Sequence, residues 1–296
     1  MSEAVSQAAH DVVTVGLDGS PESRSAVLWA AHEAGLRQAR LRLLHAWVML
    51  APEDPHRPDE QDQNYWPHRI MDQARETVRA RHPDLPVDEA LVAQDPLDAL
   101  TDAAGESDLL VLGTRELGTM AGYVVGELAL QIVTRSGVPT VLVRDQHAPL
   151  PVEKDRDVVV GLGLKDPCEA LLEFAFETAA RRGDPLRAVH GRHLPAHAYN
   201  RGGGVEPYVA EISAKDARQE LMEALQPWRE RFPWVTVDER VVLESPAHGL
   251  LTGAEGGGLL AVGRRHRLHV LAPRIGHVVQ AAVHHAPCPV AVVPHE

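Results

Sequence analysis

Lysine is almost missing from this chain of 296 residues: only Lys154, Lys165 and Lys215 stand among 29 basic residues, against 42 Asp and Glu, and the net charge is −13. A surface this acidic repels nucleic acid and anionic membranes, so neither is an expected partner. The preference for arginine over lysine fits GC-rich, bacterial coding. Cysteine is scarce too. Cys168 and Cys288 lie far apart with no CxxC or Cys/His spacing around them, which argues against a disulfide and for a reducing compartment. No run of about 18 apolar residues occurs, and the opening MSEAVSQAAHD has neither a basic start nor an apolar core. Neither a membrane span nor a signal peptide is expected, and the cytoplasm is the expected location. GxxxxGK[ST], HExxH and GxSxG are all missing, and the HEAGL that starts at His32 has no second histidine. The sequence shows no catalytic machinery and reads as a binding protein, not an enzyme.

What is present is a chain written twice. DVVTVGLDGS (Asp11 to Ser20) recurs as DVVVGLGLKD (Asp157 to Asp166), and LRLLHAW (Leu41 to Trp47) as LRAVHGR (Leu186 to Arg192), about 145 positions on. DPLDALTDAAGESDLLVLG, ending at Gly113, answers SPAHGLLTGAEGGGLLAVG, ending at Gly263, and SGVPTVLV answers APCPVAVV, both at an offset of 150. The second copy thus carries about five extra residues, placed at AYNRGGGVEPY (Ala198 to Tyr208). The polar stretch from Arg144 to Asp157 divides the chain into domains 1–150 and 151–296.

In each copy, short Val, Leu and Ile runs alternate with helical patterns, which predicts βαβ units around a buried, mostly parallel sheet. For the first copy the pattern predicts strands at 12–17, 41–48, 87–93, 108–113 and 139–143, and helices at 21–39, 65–82, 96–105 and 126–136. Ser20 followed by Pro21 makes a helix start. The expected fold class is α/β, two tandem doubly wound sheets of five strands flanked by helices. Such a domain binds ligands beyond the carboxyl ends of its strands, where the strand order reverses. Asp18 in VGLDGS and the stretch GTRELGTMAGYVVGE after Gly113 fall at those ends. A carboxylate there can accept from a ribose hydroxyl, and glycines let backbone N–H groups approach a phosphate at a helix N-terminus.

The repeat, the strand order, the HAPCPVAVV ending and the position of the glycine loop together resemble the universal stress protein family over nearly the whole chain. The resemblance implies a G-x2-G-x9-G-[S/T] loop that, with a first-strand Asp, binds ATP or another adenine nucleotide, with Mg²⁺ as a bridging ion and without rapid turnover. The implied binding set is Gly16, Asp18, Ala46, Gly113, Gly118, Gly126 and Glu127. Departures from the motif fall at Glu116, which stands for the second glycine, and at Glu127, which stands for the Ser/Thr. In the second copy Gly263 and Gly276 keep the outer glycines, but His266 and His277 replace the other two positions and Gly163 replaces the acid. The expectation is a weakened nucleotide site in domain 1 and none in domain 2. The alternative is a degenerate member that acts by protein association without nucleotide.

Other readings stay open beside these. Asp18 also suits a turn or cap, the glycines suit turns, and His45, repeated as His190, suits a packed histidine closing the sheet end. The stretch GRRHRLHVLAPRIGH, with Arg264, Arg265, Arg267, Arg274, His266, His269 and His277, reads as a solvated basic loop, with an anion site or a zinc site as the sharper alternatives. PTVLV and PVAVV are short apolar strands at sheet edges, so they are expected to pair and join the two copies. A homodimer of the whole chain and an unidentified protein partner remain open.

Overall fold

The computed structural model describes residues 12–47, 65–114, 126–145, 156–165, 168–194, 198, 206–265 and 275–295. The first half runs β1 (Val12–Leu17), α1 (Pro21–Arg37), β2 (Arg40–Ala46), α2 (Tyr65–Arg81), β3 (Val87–Val92), α3 (Pro96–Ala104), β4 (Leu109–Gly113), α4 (Glu127–Arg135) and β5 (Thr140–Val143). The second half repeats it as β6 (Val158–Gly161), α5 (Glu169–Arg182), β7 (Leu186–Gly191), α6 (Pro207–Arg231), β8 (Val237–Val242), α7 (Pro246–Gly253), β9 (Leu259–Arg265), α8 (His277–His285) and β10 (Val290–His295).

The strands form one sheet in the order β3-β2-β1-β4-β5-β10-β9-β6-β7-β8. Every pairing within a half is parallel. The halves meet where β5 and β10 pair antiparallel, with Val141 opposite Ala291. The two five-stranded sheets are therefore continuous.

Both faces of this sheet are covered, which is why the central strands read as unbroken apolar runs. Along β4, Leu109 and Val111 point into a core shared with α1, α2, α5 and α6, while Leu110 and Leu112 point into a second core under α3, α4, α7 and α8. Local signals set the helix ends. Ser20 caps α1 by accepting from the Ser23 N–H at 3.1 Å, with Pro21 as the first helical residue. Helix α1 stops at Arg37, earlier than its pattern suggests, because Gln38 turns left-handed at φ 55° and donates its N–H to Ala34 and Gly35. In the second half Gly183, at φ 71°, makes the matching stop without the steric cost.

Helices α1 and α5 add a polar lock between the halves. Glu33, 1% exposed, accepts from Arg37 Nε at 2.8 Å within its own helix and from Arg182 Nη2 at 2.7 Å across the junction. Arg182 lies over Trp29 and Arg37 over Phe174. Burial pushes the Glu33 carboxyl up, but the charges and hydrogen bonds of Arg182 and Arg37 outweigh it and hold the group at about 2.

Candidate functional site

In each half the strand order reverses once, between β1 and β4 and between β6 and β9. These are the two crevices where a doubly wound sheet holds ligands. In the first, the carboxyl ends of β2, β1 and β4 lie side by side, since Gly16 is in register with Leu44 on one flank and Leu112 on the other. The topology therefore brings Gly16, Asp18, Ala46 and Gly113 to one edge of the sheet. Helix α4 leads into the start of β5, so its first turn, with Gly126 and Glu127, belongs to the same edge. Gly118, Gly122 and Glu116 lie outside the described residues.

The glycines divide by what surrounds them. A Cβ on Gly16 would come within 2.8 Å of Leu112 and 3.1 Å of Leu100, and a Cβ on Gly161, its counterpart, within 2.8 Å of Leu250. Both glycines make room for the helix beneath. A Cβ on Gly113 would come within 2.5 Å of the Glu22 backbone, so β4 ends in close contact with the first turn of α1. Gly126 meets nothing within 4 Å and starts α4 with no side-chain cap, which leaves the first N–H groups of that helix without a side-chain acceptor from the cap.

Asp18 is exposed at the end of β1 and its carboxylate accepts from the Ser20 N–H at 2.9 Å, so it also shapes the turn into α1. Glu127 is exposed on the first turn of α4 and accepts from Gln131 Nε2 at 3.1 Å. His45 is a packed strand-end histidine, 8% exposed, with Nδ1 2.7 Å from the Leu17 carbonyl. His190 repeats the contact with Leu162 at 2.8 Å. Trp47, which the sequence did not single out, stacks on His45 at 6.5 Å with the rings 2° from parallel. Its position one residue past Ala46, at a strand end, was the available signal.

The second crevice holds a cleft of about 590 Å³ at the carboxyl ends of β6, β7 and β9. Arg264 and Arg265, read from sequence as part of a solvated loop, belong instead to β9. Strand β10 runs on to His295 and pairs Pro294 with Arg264 and His295 with Arg265, and that partner keeps β9 extended. Arg264 is 6% exposed and donates Nη2 to the Ser136 carbonyl of the first half at 2.7 Å, and burial lowers its pKa from the ordinary value. His266, His269, Arg267 and Arg274 lie outside the described residues. Among those described, no group of three or more His, Cys, Asp or Glu is placed to hold a metal ion, and no helix is long and apolar enough to cross a membrane.

A parallel α/β sheet in each half, with a glycine-edged crevice at the reversal point of each, defines a doubly wound α/β protein built from two like halves. The universal stress protein family model matches residues 10–144 and again 156–294, and the chain belongs to that family. A universal stress protein of Mycobacterium tuberculosis is 30% identical over 290 residues, which cover 95% of this chain and 96% of that protein. One from Mycolicibacterium smegmatis is 28% identical over 294 residues, covering 95% and 96%. Among solved structures, a universal stress protein from Archaeoglobus fulgidus superposes with a TM-score of 0.67 over 97% of this chain and 100% of its own, at 14% identity, and so shares the fold.

Proposed function

We propose that this chain is a cytoplasmic stress-response protein whose first half holds an adenine nucleotide, weakly, at the carboxyl ends of β1 and β4, and that it binds without catalysing a reaction. The observation that carries this reading is the exposed Asp18 carboxylate on the same sheet edge as Gly113 and the uncapped start of α4 at Gly126. Asp18 would accept from a ribose hydroxyl, Ala46 and the neighbouring strand end would line the base, and the N–H groups at the start of α4 would meet phosphate. Glu127 opposes the last of these, because a carboxylate on the first turn repels the phosphate and offers no hydroxyl donor. Mg²⁺ between the two would offset part of that repulsion.

At about 4 Å and an effective dielectric near 20, the repulsion is about 4 kcal/mol per unit charge before screening reduces it. A net loss of about 1 to 4 kcal/mol corresponds to binding weaker by about fivefold to a thousandfold, and it falls on the terminal phosphates rather than on adenosine. The test is calorimetric titration of the parent and of Glu127→Ser with ATP and AMP at fixed Mg²⁺. The variant should gain at least about fivefold for ATP and less for AMP. If it gains nothing and the purified protein releases no nucleotide on heating, the association-only reading replaces this one. The exposed Glu127 is the observation that favours that alternative.

A further inference from the structure

We propose that the cleft of the second half binds an organic anion, an apolar body ending in a phosphomonoester, and that it does so without reading a ribose. This goes beyond the nucleotide reading of the first half and does not depend on it.

Charge is the first argument. The chain carries a net −13 with 42 Asp and Glu, yet none of the described residues lining this cleft is Asp or Glu, while Arg264, Arg265, His190, His277 and His295 all line it. A cleft lined with one sign of charge concentrates ligands of the other sign.

The second argument is a comparison of the two halves. Where the first has Asp18, the second has Gly163; where it has Glu127, the second has His277; where it has Thr114 and Asp145, the second has Arg264 and His295. Each of these exchanges removes a carboxylate or adds a basic group. Two crevices built on one backbone plan therefore differ in charge at these four positions. The loss of the acid at Gly163 takes away the ribose acceptor, and the basic groups remain to meet an anion.

Shape supplies the rest. A volume of about 590 Å³ suits a small organic ligand rather than a bare ion. Leu250, packed over Gly161, joins Val262 and Val279 to make an apolar floor. The polar end is built on regular elements: Arg264 is anchored by Ser136, Arg265 is in register with His295 on the next strand, and His277 opens α8 behind the uncapped Gly276. Thr134 of α4 also lines the cleft, so the first half contributes to its wall.

The experiment is calorimetric titration of the full chain with phenyl phosphate, inorganic phosphate, phenol and AMP. Phenyl phosphate should bind once per chain, more tightly than inorganic phosphate or AMP at this cleft, and more weakly as salt is raised; phenol should not bind. The double variant R265E/H277E, which puts carboxylates at two exposed positions, should weaken phenyl phosphate by about tenfold or more. Gly163→Asp restores the first half's residue where a Cβ would meet nothing within 4 Å. It should also weaken binding while leaving the melting temperature of the unliganded protein unchanged. Equal affinity for phenyl phosphate in the parent and both variants would overturn the proposal. So would the absence of binding at millimolar phenyl phosphate, inorganic phosphate or phenol binding as tightly as phenyl phosphate, or AMP binding more tightly in a manner lost in R265E/H277E.

Discussion

Replacing Glu33 by Gln tests whether the junction between the halves is held by charge. The side chain keeps its shape but loses its negative charge, leaving Arg37 and Arg182 facing a neutral amide in a site where Glu33 is 1% exposed. The carboxyl is lowered from 4.5 to about 2, the burial that raises it being outweighed by Arg182 and Arg37. At about 1.4 kcal/mol for each pH unit of displacement, the charged form contributes about 3 kcal/mol to stability. Loss of one partner from a buried ion pair costs about 3 to 5 kcal/mol by a separate line of reasoning, so the two agree. Because the folded value is depressed, this contribution is complete above about 4.5, where the unfolded carboxyl is ionised, and fades as pH falls through about 2. Urea unfolding at pH 7 should therefore show Glu33→Gln less stable by about 3 kcal/mol, and the gap from the parent should shrink as pH is lowered from 4.5 toward 2. A variant as stable as the parent at pH 7, or a gap that does not change with pH, would show that charge at Glu33 does not hold the junction.

Three further outcomes follow from contacts at the sites and the seam. Arg144 donates to the carbonyls of Val283 and Ala286 at 2.9 Å each, so Arg144→Met should cost about 2 to 3 kcal/mol and speed amide exchange at the end of α8, with unchanged exchange there counting against the bond. Gly113→Ala should destabilise by about 1 to 3 kcal/mol, since its Cβ would press on the Glu22 backbone, whereas Gly137→Ala, with nothing within 4 Å, should not; equal melting temperatures for the two would dismiss the close approach. Burial pushes the Cys288 thiol up to about 12, against the opposing pull of Arg144, Arg156, Arg187 and Arg182, while Cys168 is partly exposed. Iodoacetamide at neutral pH should therefore label Cys168 alone, as read by peptide mass mapping, and an adduct on Cys288 would contradict its burial.

The repeat, the alternation of strands and helices, and most element limits were legible in the amino-acid order, because these rest on local signals. Ser20 and Pro21 start α1 through a cap and a fixed backbone angle, and β1 spans 12–17 as its apolar run does. The same reasoning set the ends of β1 and β4 side by side, since strand order follows from short parallel crossovers. Where the sequence reading slipped, the cause was non-local. Helix α1 looked longer because nothing in its pattern marks Gln38 as left-handed. Arg264 and Arg265 looked like loop because their extension depends on β10, which comes about 30 residues later. Only in the folded sheet would a Cβ at Gly16 press on Leu112 and Leu100, and one at Gly113 on the α1 backbone. Tertiary structure alone set Glu33 between two arginines from different halves, and it alone opened a basic cleft in the half whose motif is more degraded. The physical reason is that capping and periodicity act over a few residues, whereas free volume and charge convergence depend on chain segments that meet only after the sheet has formed.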